Sequence, residues 1–467
     1  MAFEQNTNQL PCLAAKAQDK GPPLHPPLPQ YSLQRPGKSL DMLPVQHGIM
    51  CPLHMMEAHI LPHKLPPRTQ PPLNPVPSIL RNMAQRAGNK DIHALNGSLR
   101  LIIHRQALHI RRKILLTFLT NVVQWFETLQ KRVHGLGEDR GWACCIGNGS
   151  QELIHRVMQV FTDPGDPVLL ETPAYPGVIG FLHADGHELM PVYSDAHGLN
   201  PASLEQALST WPPDSPRPKV LYTTPTGSNP TGQSCTESRK AEILRLAKRF
   251  NFMILEDDAY YYLNYGDKTC RARSYLALEK EVNGEPGRVV RFDSLSKIVS
   301  PGMRLGILTA PVSVVDKVVR ITENINLQPS STTQLLALSS LRHWGHAGFL
   351  RHCAEAAGVY CRRRDVLIAA AERHLQGRAT WVVPTAGMFV WLELGLPPGE
   401  DSFELLRRQA MNNGVLAIPG VAFMPGGEKC HVRVSFSLVS EGDMDEACRR
   451  IAELVDGRAC ASSRGRA

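Results

Sequence analysis

No uninterrupted apolar run in this 467-residue chain reaches the roughly 18 residues that a bilayer-spanning helix needs, and the patch Ile114–Val123 is too short. A soluble protein without a membrane partner is therefore expected. The eleven cysteines contain no CxxC pair, and Cys144 and Cys145 are neighbours, which argues against a zinc knuckle or a disulfide framework and for reduced, intracellular thiols. The eighteen histidines show no HExxH spacing, and five of them (His25, His47, His54, His59, His63) lie near the N-terminus, where weak adventitious metal binding is the most expected. No metal site is expected. The formal net charge of +8 does not belong to the body of the chain: residues 1–113 hold fourteen Lys/Arg against five Asp/Glu, and the remainder holds thirty-seven against thirty-eight. The basic stretch lacks a helix-turn-helix pattern, so no nucleic-acid partner is expected. It also lacks the apolar core of a secretory signal. Its sparse arginines, with Glu4 and Asp19, make a mitochondrial transit peptide a minor alternative to a cytoplasmic location.

Sixteen of the thirty-seven prolines precede Ser78, so residues 1–73 read as a disordered, proline-rich basic tail. Beyond it, a hydrophobic content of 43% suffices for a large core, and the length suggests two domains. Strands alternate with helices from Gln151 to about Pro311, which predicts an α/β fold with a mostly parallel, doubly wound sheet. From His346 a long helical pattern leads to Thr380–Val383 and Phe389–Leu392, predicting a smaller C-terminal α+β domain. The expected division is 74–116 as an atypical N-terminal segment, 117–340 as the large domain and 341–460 as the small one.

Ser294-Leu295-Ser296-Lys297, followed by Pro301, Gly302 and Arg304, places one lysine among hydroxyls and an arginine. Such a lysine can condense with the aldehyde of pyridoxal phosphate while Ser294, Ser296 and Arg304 hold the phosphate. The strand Val289–Phe292 feeds this loop, and Phe252–Leu255 runs into Glu256-Asp257-Asp258-Ala259-Tyr260. A carboxylate at a strand end can keep a pyridine nitrogen protonated, and Asp257 is the candidate. Tyr260 is the candidate hydrogen-bond donor to the cofactor's phenolate oxygen, and Asp258 is expected to cap or solvate the turn. The strand Val220–Thr223 ends in Pro225–Gly232, where Asn229 is a fixed amide suited to the same oxygen, ahead of a helix around Ala241–Phe250. Gly147-Asn148-Gly149-Ser150-Gln151 opens a helix over Glu152–Phe161, a place for phosphate or simply for Ser150 as its N-cap. Tyr175, on the stiff loop Thr172–Gly177 after the strand Val168–Glu171, can stack on the pyridine ring. Arg433, on the strand His431–Phe436, can clamp an α-carboxylate with its planar fork. Alone, each segment also reads as an ordinary turn, cap or strand end; together they do not.

The joint pattern GNGSQ, TPAYPG, PTGSNPTG, EDDAYYYL, SLSKIVSPGMRLG and HVRVSF resembles the fold-type I pyridoxal-phosphate aminotransferases of class I/II, in the branch of kynurenine/2-aminoadipate and aromatic-amino-acid aminotransferases, over about Leu115–Asp456. The resemblance implies Lys297 as the Schiff-base lysine and catalytic acid/base and Asp257 as the pyridine-nitrogen partner. It implies Asn229 and Tyr260 as phenolate ligands, with Ser150, Gln151, Ser294, Ser296 and Arg304 as the phosphate cup. Tyr175 becomes the stacking ring, and Arg433 with Asn229 the substrate side. It further implies transamination of an amino acid with a 2-oxo acid such as 2-oxoglutarate, by a homodimer. Tyr175, Met388, Phe389 and Phe423 are candidates for an apolar substrate pocket.

The N-terminal third departs from that pattern. After Asn74–Gly97 the family leads to a Gly-Gly-x-Pro loop, where this chain has Gly97-Ser98-Leu99-Arg100; no tyrosine occurs between Tyr31 and Tyr175, although the family supplies a partner-subunit tyrosine from this region. The alternatives to an active transaminase are an impaired variant, a lyase or decarboxylase using the same cofactor cradle, and, least favoured, a pyridoxal-phosphate-responsive transcription regulator.

Overall fold

Short runs of Val, Leu and Ile bounded by Gly, Pro and Asp become buried strands when helices cover both faces of a sheet. The structure, a computed structural model, describes residues 121–138, 141–265, 271–397, 400–407, 414–424, 427 and 430–457. The expected tail 1–73 and atypical segment 74–116 lie outside the described residues. The large sheet comprises β1 (Trp142–Gly147), β2 (Pro167–Thr172), β3 (Glu188–Asp195), β4 (Gly198–Leu199), β5 (Val220–Thr223), β6 (Met253–Asp257), β7 (Val289–Ser294) and β8 (Gly306–Pro311). Their order is β1-β8-β7-β6-β5-β2-β3-β4. Neighbours from β7 through β3 pair in parallel, β8 runs antiparallel to both β1 and β7, and β4 antiparallel to β3. This is the mostly parallel α/β sheet that the strand and helix alternation predicts.

Successive side chains on a strand point to opposite faces. Leu170, Tyr222, Leu255 and Phe292 therefore pack on one side, against α2 (Ser150–Phe161), α3 (Pro176–Ala184) and α7 (Val312–Ile325). Leu169, Leu221, Ile254 and Val289 pack on the other, against α4 (Pro201–Ser209), α5 (Glu237–Phe250) and α6 (Tyr275–Asn283). The chemistry of α5 is legible locally. Thr236 accepts a hydrogen bond from the Arg239 N–H at the start, Ile243, Leu244 and Ala247 form its buried stripe, and Asn251 ends it in the left-handed conformation, φ 58°. Ser150 is not an N-cap: Gly149 occupies that position, and Ser150 is the first helical residue of α2.

A third core joins α1 (121–134), the long helix α8 (Ser331–Leu375), which breaks at Gly345, and a four-stranded antiparallel sheet ordered β11-β12-β10-β9. These strands are β9 (Ala379–Trp381), β10 (Phe389–Leu394), β11 (Ile418–Pro419) and β12 (His431–Ser435), with α9 (Glu441–Val455) packed along α8. Strand β9 stops before Val382 and Val383, which are exposed. Among the described residues, no helix is long and apolar enough to cross a membrane.

Candidate active site

Chain polarity puts the C-terminal ends of β1, β2, β5, β6 and β7 along one edge of the large sheet, and side chains from the loops beyond converge there. A cavity of about 320 Å³ at this edge is lined by all eleven residues expected at the site: Ser150, Gln151, Tyr175, Asn229, Asp257, Tyr260, Ser294, Ser296, Lys297, Arg304 and Arg433. Ile154, Thr224, Ala259, Pro301 and Phe389 complete the wall. Arg433 arrives from the second sheet, so the cavity is closed by both sheets.

The parity of β6 sorts its acids. Glu256 stands opposite Arg291 in the β6–β7 register and Asp257 opposite Phe292. Glu256 and Asp258 thus share a face with Arg291, and Asp257 alone turns to the cavity. Arg291 is fully buried, with Nη1 2.8 Å from Asp258 and Nη2 2.8 Å from Asp293. The expectation that Asp258 solvates or caps a turn is therefore corrected: it is buried and shares with Asp293 the pairing of a buried guanidinium.

Asp257 accepts a hydrogen bond from the Tyr222 hydroxyl at Oδ2, 2.7 Å, while its buried Oδ1 has no partner. Burial is the main reason its carboxyl is pushed up to about 6; the Tyr222 bond and the Lys297 charge act the other way. The Lys297 amine stands 5.9 Å from the centre of the Tyr260 ring. Partial burial lowers its pKa from the ordinary lysine value against the pull of Asp257, with Arg304 and Arg433 adding to the lowering. The Tyr260 phenol is raised, chiefly by burial and secondarily by Asp257, and stays protonated as a donor.

Arg304 caps the turn after Lys297 with φ 51° and reaches Ser296 Oγ at 3.3 Å and the Asn148 carbonyl at 3.4 Å. Gly149 faces it with φ 102°, and a Cβ there would meet Arg304 Nη2 at 2.5 Å. The conformation favours glycine, and a Cβ there would displace the end of the Arg304 side chain. Gln151 departs from this group, since its amide accepts from the Tyr175 hydroxyl at 3.2 Å and donates to the Gly177 carbonyl at 3.4 Å. Across the cavity, Arg433 Nη1 donates to Asn229 Oδ1 at 2.7 Å, which turns the amide NH₂ of Asn229 away from the guanidinium. The guanidinium sits over the rings of Phe389 at 4.2 Å and Phe423 at 5.1 Å, and its buried Nε has no partner. Of the apolar-pocket candidates, Tyr175 and Phe389 line the cavity, whereas Phe423 backs Arg433 and Met388 packs in the core.

An unpartnered carboxylate oxygen, a desolvated lysine and a glycine-lined turn beside an arginine fit a ring bearing a cationic nitrogen, an aldehyde and a phosphate. Sequence reasoning missed Tyr222, whose signal was a phenol in a fully buried strand, and Gln130 of α1, which donates to Asp293 at 2.8 Å behind the site. The signal for α1 was the helical spacing of Val122, Trp125, Phe126 and Leu129, all buried.

The sequence matches the family model for aminotransferase class I and II over residues 75–451. It is similar to aminotransferase tdiD of Emericella nidulans, with 84% identity over 342 residues covering 73% of this chain and 78% of that one. It is also similar to the mitochondrial kynurenine/alpha-aminoadipate aminotransferase of Bos taurus, with 36% identity over 349 residues covering 72% of this chain and 80% of that one. Among solved structures it resembles Pyrococcus horikoshii kynurenine aminotransferase in complex with PMP, with a TM-score of 0.67 and 25% identity, covering 81% of this chain and 99% of that chain.

Proposed function

We propose, for a chain that belongs to the class I and II aminotransferases and is itself an aminotransferase, that the cavity takes pyridoxal 5'-phosphate and an amino acid of aromatic, kynurenine or 2-aminoadipate type, with 2-oxoglutarate as second substrate. The observation that carries this reading is the convergence of eleven residues from distant loops on one cavity wall.

When bound, pyridoxal phosphate supplies the aldehyde that accepts the amino group and the cationic ring that withdraws electrons from the substrate. Asp257 accepts from the ring nitrogen and holds its proton. Asn229 and Tyr260 donate to the ring oxygen, Tyr175 covers the ring with its hydroxyl held by Gln151, and Ser150, Ser294, Ser296 and Arg304 bind the phosphate. Arg433 takes the α-carboxylate, with Phe389 and Phe423 packed against its planar guanidinium and keeping it partly dry. Lys297, whose desolvated amine carries a larger neutral fraction than a free lysine, takes up the substrate Cα proton and returns it. Tyr175 and Phe389 give an apolar, aromatic wall that favours large side chains over small polar ones. The relatives named above support transamination over lyase or decarboxylase chemistry. A homodimer in the cytoplasm, with a large domain to residue 340 and a small one from 341, completes the reading.

The test is a panel of amino acids given to the purified, cofactor-loaded protein with and without 2-oxoglutarate. Oxo-acid formation that requires 2-oxoglutarate and is fastest with aromatic, kynurenine or 2-aminoadipate donors supports the proposal. Product formation independent of 2-oxoglutarate identifies a lyase or decarboxylase, and a protein that retains no cofactor identifies the impaired variant.

A further inference from the structure

We infer that Tyr222 is a positioning residue for Asp257: its phenol occupies one carboxylate oxygen and thereby fixes the other towards the cavity in its ionised, acceptor form. This rests on the reading of the cavity as a pyridoxal-phosphate site.

Tyr222 lies in the middle of β5, fully buried among Leu170, Leu255 and Phe292. A phenylalanine would fill the same apolar space, and a buried phenol needs a hydrogen-bond partner. The β5–β6 register sets Tyr222 opposite Leu255, two residues before Asp257 and so on the same face of the sheet. From there its hydroxyl reaches Asp257 Oδ2 at 2.7 Å, and Oδ1 is left as a buried oxygen without a partner. A pinned carboxylate on the cavity wall keeps one orientation, and a hydrogen bond to the charged form favours that form.

Other groups pull in both directions. Lys297, from the turn after β7, favours the ionised carboxylate; Asp293 of β7 and the adjacent Asp258 oppose it. Tyr175 and Tyr260 also face the carboxylate, and their phenols are raised in part by its charge. Of the interactions favouring ionisation, the Tyr222 hydrogen bond is the largest after the burial that opposes it.

Cofactor-stripped protein is titrated with pyridoxal phosphate from about pH 5 to pH 9, following bound cofactor by its absorbance, in four forms: wild type, Tyr222→Phe, Asp257→Asn and the double variant. Tyr222→Phe is expected to weaken binding about tenfold near pH 8 and to move the acid limb of binding to higher pH, because the carboxyl then protonates more readily. In the Asp257→Asn background, the same change is expected to weaken binding less than about twofold. Wild-type affinity and an unmoved acid limb in Tyr222→Phe overturn the inference. So does equal weakening in both backgrounds, which would mark a packing effect. A wild type that binds no pyridoxal phosphate overturns the proposed function and the inference with it.

Discussion

Glu256 lies opposite Arg291 across β6 and β7, with Arg291 Nη1 3.4 Å from its carboxylate and both side chains fully buried. Together with Asp258 and Asp293, Arg291 forms a charge cluster directly behind the acid that faces the cavity. The Tyr261 ring covers the guanidinium at 4.6 Å, and Gln130 ties the cluster to α1.

Removing the cation from this cluster leaves three buried carboxylates without compensation. Arg291→Met is expected to destabilise the protein by about 3–5 kcal/mol, measured by urea unfolding near pH 7.

Asp257→Asn separates stability from function. The Asp257 carboxyl is raised by burial from 3.8 to about 6, so the folded protein binds its proton more tightly than the unfolded chain does. Its favourable contribution is present below pH 4 and is lost as pH rises through 6. In the cofactor-free protein, Asp257→Asn should therefore be more stable than wild type by about 1–3 kcal/mol at pH 8 and nearly neutral at pH 4. The same substitution should sharply weaken cofactor binding and transamination.

Arg433 has one guanidinium nitrogen on Asn229 and a buried Nε without a partner. Arg433→Lys keeps the charge and loses the planar fork, so KM for the amino acid should rise roughly 10–100-fold, with a smaller change in kcat. Steady-state kinetics over both substrates measures the split.

Gly149→Ala places a Cβ against Arg304 at a backbone φ of 102°. A loss of about 1–3 kcal/mol in stability and a tenfold or greater weakening of cofactor binding are expected, read by thermal melts and cofactor titration.

Much of the site was legible because its residues sit in short, rigid segments whose function depends on order along the chain: Ser294, Ser296, Lys297 and Arg304 fall within one short stretch from the end of β7, and Asp257 and Tyr260 within another from the end of β6. The strands β2, β5, β6 and β7 were legible as apolar runs bounded by turns. What the sequence hid depends on register. The triplet Glu256-Asp257-Asp258 offers three similar acids, and only pairing with β7 decides that two of them neutralise Arg291. Tyr222 reads as one more apolar core residue until its strand is laid beside β6. Gln151 follows the phosphate-site motif, yet its side chain is held by Tyr175 and Gly177. Helix α1 escaped notice because the proline-rich, basic region before it obscured where its helical spacing begins.

On this reading the amine of Lys297 is the group that binds the cofactor's aldehyde. Borohydride reduction of the loaded protein, followed by peptide mass spectrometry, tests it most directly. A single phosphopyridoxyl adduct is expected on the peptide carrying Lys297, absent from Lys297→Ala, which should also lose transamination. An adduct on a different lysine, or transamination by Lys297→Ala at the wild-type rate, would contradict it.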